Sequence, residues 1–314
     1  MPLITEKSNV IESPKSPFDL TADEAYQVWR KKKLENYPED SAKLVVEISD
    51  LENISEPEFD SMCSILAKTN MVIYACRNVS DDPASIRKGL TALTSRFGLN
   101  ANEAHRSAGE ENIVALEVTN QGGKRGYIPY TNKPLNWHTD GYYNASGQEI
   151  GAFLLHCARN ALAGGQNQLL DPEIAYIRLR DENPAYIEAL SHPETMTIPF
   201  NKEADGSIRP DSIGPVFKIS DDGMNLSMRF TARTRSISWR DTPKTNEAVA
   251  FIKHLLDGNE PLVQTITMRP GQGMINNNVL HNRTGFENSA TDNNGRLLYR
   301  IRFHQRVNIQ ANSF

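Results

Sequence analysis

The stretch "NWHTDGYYN", residues 136–144, sets a histidine and an aspartate one residue apart. If residues 136–141 lie on a β-strand or leave one, side chains two residues apart point to the same side. His138 and Asp140 would then aim an imidazole and a carboxylate at a single point. This pair is half of a metal site only if a folded β-structure brings a third ligand to it. The rest of the chain therefore has to supply both the β-structure and the third ligand.

Short apolar strands dominate the chain after about residue 110. They alternate with turns rich in Gly, Asn and Pro, and they are predicted over 112–118, 151–157, 167–170, 195–200, 215–219, 225–230, 263–268, 273–278 and 297–303. Two helices are predicted among them, over 171–190 and 242–258. Many short strands with turn signals between them are typical of a β-sandwich or barrel.

The first third of the chain has a mixed pattern. Helices are predicted over 21–37, 55–69 and 81–100, and strands over 42–50 and 70–78. The basic run at 30–33 is predicted to be a solvated helix face. Residues 1–20 are polar and contain proline, which is typical of a flexible arm. We therefore predict a single catalytic domain over 21–314, in which an α/β portion (21–110) packs on a β core (111–314).

Composition limits the classes of function. Lys plus Arg number 34 against 39 Asp plus Glu, a net charge of −5, so neither a nucleic-acid partner nor a membrane surface is expected. The cysteines Cys63, Cys76 and Cys157 are widely spaced, which indicates a reducing compartment. No signal peptide and no apolar run of about 18 residues is found. We expect a cytoplasmic protein with a small-molecule substrate; the N-terminal helices offer a surface for a homo-oligomer.

His281 is the strongest candidate for the third ligand among seven histidines. It lies in "GQGMINNNVLHNRTGF", residues 271–286, after a predicted strand and at the start of a predicted loop. Two histidines and one carboxylate form the facial triad of non-haem Fe(II) oxygenases, which leaves three positions for a 2-oxo acid and O₂. We therefore predict His138, Asp140 and His281 as metal ligands and catalytic residues.

Arginines follow His281 on the last predicted strand, "GRLLYRIRF", residues 295–303. Arg296, Arg300 and Arg302 alternate in phase, so a strand would turn all three to one side. A guanidinium binds a carboxylate through two parallel hydrogen bonds. Burying such a row without anionic partners would be costly, so the pattern predicts a binding site for an acid.

These motifs together resemble the TauD/TfdA group of Fe(II)/2-oxoglutarate-dependent dioxygenases, which includes taurine dioxygenase and γ-butyrobetaine hydroxylase. "WHTD" (137–140) is similar to the family's HxD motif, and "VLHNRTGF" (279–286) to its "VLHGRTAF" segment. "RLLYR" (296–300) resembles the family's R-x-x-x-R, and "GGQNQLLD" (164–171) its "GGDT" strand. The resemblance covers roughly residues 110–305.

The resemblance implies a mainly β fold with α-helices: a double-stranded β-helix, or jelly roll, with flanking helices and the N-terminal α/β portion. It implies the reaction of 2-oxoglutarate, O₂ and R–H to R–OH, succinate and CO₂, with Fe(II) as metal. Halogenating relatives lack the carboxylate that Asp140 provides, so hydroxylation or desaturation is expected.

The resemblance also implies residues for 2-oxoglutarate. We expect Arg300 to hold its far carboxylate, with Arg296 as a near neighbour. Gln166 and Asn167 stand where the family has Asp-Thr, so Asn167 is expected to contribute a hydrogen bond through its amide. Asn282 stands where the family has Gly.

Two other classes of function stay open: a metal-dependent enzyme on the same barrel that does not use 2-oxoglutarate, and a non-catalytic binder or sensor of small molecules. The substrate is expected to carry a carboxylate or an amine. A tyrosine group either cages an alkylammonium ion or packs at the rim; its members are Tyr127, Tyr130, Tyr142 and Tyr143. An arginine group either forms a solvated face or holds a substrate anion; its members are Arg229, Arg233, Arg235 and Arg240.

Overall fold

The computed structural model describes residues 15–103, 112–119, 128–202, 206–289 and 295–309. Its α-helices are α1 (Asp23–Leu34), α2 (Glu56–Thr69), α3 (Pro83–Arg96), α4 (Pro172–Glu182), α5 (Pro184–Leu190) and α6 (Pro243–His254). Its strands are β1 (Val45–Ile48), β2 (Met71–Cys76), β3 (Val114–Leu116), β4 (Leu135–His138), β5 (Ala152–Arg159), β6 (Ala163–Gly164), β7 (Asn167–Leu170), β8 (Met196–Ile198), β9 (Asn201–Lys202), β10 (Ile208–Arg209), β11 (Ser212–Gly214), β12 (Phe217–Ile219), β13 (Leu226–Met228), β14 (Ser238–Trp239), β15 (Gln264–Ile266), β16 (Gln272–Asn276), β17 (Leu280–Arg283), β18 (Phe286–Glu287) and β19 (Leu297–Phe303).

Two sheets enclose the central core. The major sheet has the strand order β1-β2-β16-β5-β19-β3, and the minor sheet has the order β15-β7-β17-β4. Side chains from both sheets meet in one buried cluster, for example Phe153 and Leu298 from the major sheet and Leu169 from the minor sheet. The predicted mainly β core is therefore present as two layers with a shared interior.

The N-terminal portion extends the major sheet. β2 pairs antiparallel with β16 and parallel with β1. Helices α2 and α3 cover the outer face of this sheet through a second buried cluster that includes Leu66, Leu90 and Ile275. This continuous sheet favours the predicted single domain, which stays a prediction. Most of the predicted arm lies outside the described residues; in its described end, Phe18 is buried against Trp29 and Tyr176.

The single helix predicted over 171–190 is wrong in one respect: it is two helices. α4 ends at Glu182, and α5 begins at Pro184. Proline has no backbone N–H and clashes with the preceding turn, so it starts a helix more readily than it continues one. Asn183 caps the second helix by accepting a hydrogen bond from the backbone N–H of Ala185 at 3.0 Å.

The loop predicted to begin at His281 is also wrong, because that residue lies within β17. The strand is paired on both sides, with β7 and with β4. The turn comes earlier, at Asn278, whose backbone is left-handed with φ of 52°. Asparagine tolerates that conformation, so the change of direction falls before the histidine.

A buried ion cluster ties α1 to the start of α4. The Lys33 ammonium lies 2.6 Å from a carboxylate oxygen of Asp171 and 2.6 Å from one of Glu173, and its side chain is 5% exposed. It also donates to the carbonyl of Lys68 at 2.7 Å. Asn70 donates to Asp171 at 2.9 Å. For Lys33, the prediction of a solvated helix face is therefore wrong.

The first turn of α2 supplies a pH-dependent contribution to stability. The Glu58 carboxylate accepts hydrogen bonds from the backbone N–H and the hydroxyl of Ser55, at 2.9 and 2.8 Å, and from Ser49 at 2.8 Å. The backbone hydrogen bond from Ser55 is the largest cause that lowers the pKa of Glu58 to about 2. Because the folded pKa lies below the unfolded one, this stabilisation is present above pH 4.5 and is lost as the pH falls toward 2.

Glu58→Gln is therefore expected to lower the melting temperature at pH 7. The difference in melting temperature between the variant and the wild type should become smaller as the pH falls from 4.5 to 2. The loss at neutral pH should be about 1 kcal/mol, the usual size of a lost helix cap. Thermal melts across this pH range check it. Glu47→Gln, at a side chain that is 67% exposed, serves as the control. An effect of Glu58→Gln that does not change with pH would contradict the assignment.

Candidate metal centre

Strand pairing brings the two histidines together. β4 and β17 are antiparallel neighbours, and His138 lies directly opposite His281 in their register. The two imidazole centroids are 4.2 Å apart. One ligand atom from each of His138, Asp140 and His281 lies within 4.8 Å of the other two, and all three residues are buried. The structure thus brings the three predicted ligands to one point.

Backbone carbonyls orient both imidazoles. Nδ1 of His138 lies 2.9 Å from the carbonyl of Asn136, and Nδ1 of His281 lies 2.9 Å from that of Val279. A carbonyl oxygen only accepts, so each Nδ1 carries the proton and each Nε2 keeps a lone pair for a metal. Burial is the main cause that lowers the pKa of His138 to about 3, and it also lowers the pKa of His281. Both rings are therefore neutral, as ligation requires.

Asp140 is held in place by hydrogen bonds between its backbone and the side chain of Asn278. The amide oxygen of Asn278 accepts from the backbone N–H of Asp140 at 2.7 Å, and the amide nitrogen of Asn278 donates to the carbonyl of Asp140 at 3.0 Å and to that of Ile150 at 2.8 Å. Gly141 then turns the chain with φ of 67°, where an added Cβ would lie 2.5 Å from Ile150. The hydrogen bonds of Asn278 and the turn at Gly141 together hold the carboxylate of Asp140 beside β17.

Arginines set the charge state of Asp140. Burial alone would raise the pKa of this carboxyl group. The positive charges of Arg300 and then of Arg302 lower it, and together with the other nearby groups they outweigh burial, so the pKa falls below the usual range. A guanidinium nitrogen of Arg300 lies 3.4 Å from Oδ1, and one of Arg302 lies 4.0 Å from it. The other oxygen, Oδ2, is buried without a hydrogen-bond partner. An unpartnered carboxylate oxygen beside two free Nε2 atoms is the donor set that a facial triad offers to Fe(II).

The last strand separates its arginines along the site. Arg300 and Arg302 share one phase on β19, and both reach Asp140. Arg296 lies four residues earlier, roughly 13 Å along an extended chain. There it lines a small cavity together with Asn167 and Gly165. Arg300 is therefore at the metal end of the interior, and Arg296 is at the far end.

A second buried arginine accompanies Arg296. Arg283, on β17, is 6% exposed, and Arg296 is 5% exposed. Both guanidiniums lie against the ring of Phe286, at 4.9 and 5.0 Å from its centroid. Burial and then the charge of Arg296 lower the pKa of Arg283 to about 10, and burial lowers that of Arg296. Among the described residues, no Asp or Glu forms an ion pair with either one.

An open cavity of about 440 Å³ is connected to the triad through Arg302, although none of the three predicted ligands lines it. Glu103 and Tyr143 line it, and both contact Arg302: Glu103 as an ion pair and the Tyr143 hydroxyl at 3.1 Å. Arg302 in turn faces Asp140. Arg209 and Asp211 line the same cavity, so its wall carries both signs of charge.

The other candidate residues fall into separate environments. The Arg229 guanidinium donates hydrogen bonds to the backbone carbonyls of Tyr142, Met196 and Ser212, at 2.8, 2.9 and 2.8 Å. Arg235 and Arg240 are exposed, and Arg233 is half-buried, 3.4 Å from the hydroxyl of Tyr142. Tyr142 itself lies edge-on to His138, with ring centroids 6.3 Å apart. Tyr127 lies outside the described residues.

Three site residues were missed by the sequence analysis: Asn278, Arg283 and Glu103. The run of three asparagines before "VLH" was an available signal for Asn278, because a buried Asn in a left-handed turn often bonds to backbone. Arg283 was visible as the residue in phase with His281. For Glu103 no sequence signal was available.

Comparison with protein families places these motifs in a known group. The family described as taurine catabolism dioxygenase TauD, TfdA family matches residues 39–302. A uridine-5'-phosphate dioxygenase of Amycolatopsis sp is 29% identical over 161 residues, which cover 48% of this chain and 54% of that protein. A human gamma-butyrobetaine dioxygenase is 26% identical over 167 residues, which cover 51% and 42%. The chain thus spans about half the length of the curated relatives it matches.

Solved structures share the fold. The non-heme iron oxygenase OrfP, in complex with Fe, succinate and (3S)-hydroxy-L-Arg, aligns with a TM-score of 0.60 at 15% identity, covering 80% of this chain and 81% of that chain. An asparagine oxygenase in complex with Fe(II), 2S,3S-3-hydroxyasparagine and succinate aligns with a TM-score of 0.52 at 14% identity, covering 93% and 92%. These likenesses confirm the predicted jelly-roll core. No helix in the described part of the chain is long and apolar enough to cross a membrane.

Proposed function

Because the chain belongs to the taurine catabolism dioxygenase TauD, TfdA family, we propose that it is an Fe(II)- and 2-oxoglutarate-dependent dioxygenase. It would hydroxylate or desaturate an unactivated C–H bond of a small molecule that bears a carboxylate or an amine. The observation that carries this proposal is the convergence of His138, Asp140 and His281 within 4.8 Å, with the Oδ2 atom of Asp140 lacking a partner.

The three ligands would hold the metal through Nε2 of each histidine and the carboxylate of Asp140. Fe(II) bound there would supply the O₂ activation that couples decarboxylation of 2-oxoglutarate to oxidation of the substrate. The protein contributes orientation: two carbonyls fix the imidazoles and Asn278 fixes Asp140. Arg300 and Arg302 keep Asp140 ionised and, with the surrounding core, keep bulk water away from it.

We assign the far carboxylate of 2-oxoglutarate to Arg296 and Asn167, which reverses the expectation for Arg300. Arg300 lies 3.4 Å from Asp140, at the end where the 2-oxo acid group would meet the metal. Arg296 is buried at the other end, beside Asn167, and has no acidic partner among the described residues. A buried guanidinium of this kind requires an anion. An enzyme on this barrel that did not use 2-oxoglutarate would leave Arg296 unexplained.

Arg296→Gln is expected to weaken 2-oxoglutarate binding by about 30-fold or more, because truncating one partner of a buried charge pair costs about 2–5 kcal/mol. Calorimetric titration of the Fe(II) protein without O₂ checks this. Arg269→Gln, at an exposed arginine, is the control and should bind normally. If Arg300→Gln weakens binding through the far carboxylate while Arg296→Gln has no effect, our assignment is wrong.

We propose that the primary substrate enters the 440 Å³ cavity, whose wall residues Glu103 and Tyr143 contact Arg302. Its acidic wall residues, Glu103 and Asp211, and its basic residue, Arg209, suit a small molecule with a carboxylate, an amine or both. The test is a screen of acids, amino acids, sulfonates and betaines with Fe(II), O₂ and 2-oxoglutarate. A true substrate yields succinate together with a product heavier by one oxygen or lighter by two hydrogens. Formation of succinate with no metal present would refute the proposal.

A further inference from the structure

Arg283 is buried with unused hydrogen-bonding capacity. Its Nη2 donates to the carbonyls of Thr131 and Lys133, at 3.0 and 2.5 Å, but its Nε is buried without a partner. When a buried guanidinium has an N–H donor without an acceptor, the full desolvation free energy of that donor destabilises the folded protein. Two neutral carbonyls do not balance its charge, so the environment is incomplete without an anion.

The neighbour of Arg283 is another cation. Arg283 and Arg296 lie against the same Phe286 ring, and neither has an acidic partner in the described ranges. Two buried positive charges that contact one ring repel each other and are poorly solvated, and the charge of Arg296 does lower the pKa of Arg283. Their coexistence indicates that an anion from outside the chain completes the pair.

The position of Arg283 connects this pair to the metal site. It follows His281 by two residues on β17, so the two side chains share one wall of the interior. In the sheet register Arg283 lies directly opposite Asn167 on β7. Arg283 is therefore the cross-strand neighbour of the residue whose amide we assign to the far end of 2-oxoglutarate.

We propose that Arg283 is a second positioning cation of the co-substrate site, which together with Arg296 holds the far carboxylate of the keto-diacid. This inference rests on the proposed function. With two guanidiniums at one end, the site discriminates 2-oxo diacids from 2-oxo monoacids. Through its bonds to Thr131 and Lys133, Arg283 also links the bound carboxylate to the segment that leads into β4 and His138.

The test compares two ligands that differ at the far end. 2-Oxoglutarate has the second carboxylate, and 2-oxobutyrate lacks it. Both are titrated by calorimetry without O₂ into the Fe(II)-loaded full chain and into its Arg283→Gln and Arg283→Lys variants. Arg283→Gln should weaken 2-oxoglutarate by about 10- to 100-fold, the worth of a hydrogen bond to a charged group. Binding of 2-oxobutyrate should stay within about threefold of the wild type, and Arg283→Lys should recover part of the loss.

Three outcomes would overturn the inference. Equal weakening of both ligands would show that Arg283 only supports the fold around Thr131. Unchanged binding of both would show that it plays no part. A loss in Arg159→Gln, a half-buried arginine bonded to the carbonyl of Gly295, as large as that in Arg283→Gln would show a non-specific effect. If the wild type itself does not bind 2-oxoglutarate, the proposed function fails rather than this inference alone.

Discussion

His281→Ala is expected to abolish tight metal binding and all conversion of 2-oxoglutarate to succinate. The substitution leaves two ligands on one side of the site, and the imidazole that it removes is held by β17 directly opposite His138. Altering only the outer partners of a metal ligand typically costs about 10- to 100-fold in affinity, so loss of a ligand should cost more. Anaerobic titration with Fe(II), together with a succinate assay, measures both effects.

The matched control for this prediction is His254→Ala. His254 is exposed at the end of α6 and is not one of the three residues that converge. Its replacement should leave metal affinity and succinate formation close to those of the wild type. A His281→Ala protein that still binds Fe(II) tightly and turns over 2-oxoglutarate would remove this residue from the site.

Lys33→Met is expected to lower the free energy of unfolding by about 3–5 kcal/mol, because it leaves buried carboxylates without their cation. Lys33 is 2.6 Å from both Asp171 and Glu173, and the Asp171 side chain is fully buried. The methionine keeps most of the apolar volume, so the loss reports on the charge. Urea denaturation at pH 7 measures it.

The comparison variant is Lys43→Met, which breaks an exposed pair. Lys43 lies 3.9 Å from Glu39, and these side chains are 58% and 84% exposed. Exposed pairs contribute about 0–1 kcal/mol, so this variant should unfold almost as the wild type does. A Lys33→Met protein that loses no more than Lys43→Met would mean that the cluster around Asp171 is not a stabilising feature.

The three metal ligands could be predicted from the sequence, because each is identified either by local spacing or by a motif around it. The two-residue spacing of His138 and Asp140 needs only a strand to put both on one side. His281 is identified by its flanking segment, although its backbone was predicted as a loop. Asn278 ends one strand and turns the chain, and that turn depends on a side chain bonded to Asp140, distant in sequence.

The co-substrate end of the site was harder to predict. Strand phase predicts Arg296, Arg300 and Arg302 on one side, but it does not say which one lies beside the metal ligands. That order is set by the register of β19 against β5 and by the position of Asp140. Likewise, Lys33 ends a basic run that suggests a solvated face. Its burial depends on the approach of α4, which no local pattern encodes.

The most direct test of the metal site is a crystal structure of the chain grown without O₂ with Fe(II) and 2-oxoglutarate, with iron located by anomalous scattering. We predict one iron peak at about 2.0–2.2 Å from Nε2 of His138, an oxygen of Asp140 and Nε2 of His281, the range of metal–nitrogen and metal–carboxylate bonds in proteins. The far carboxylate of the ligand should meet Arg296. Iron bound elsewhere, or bound without one of these three side chains, would contradict the account.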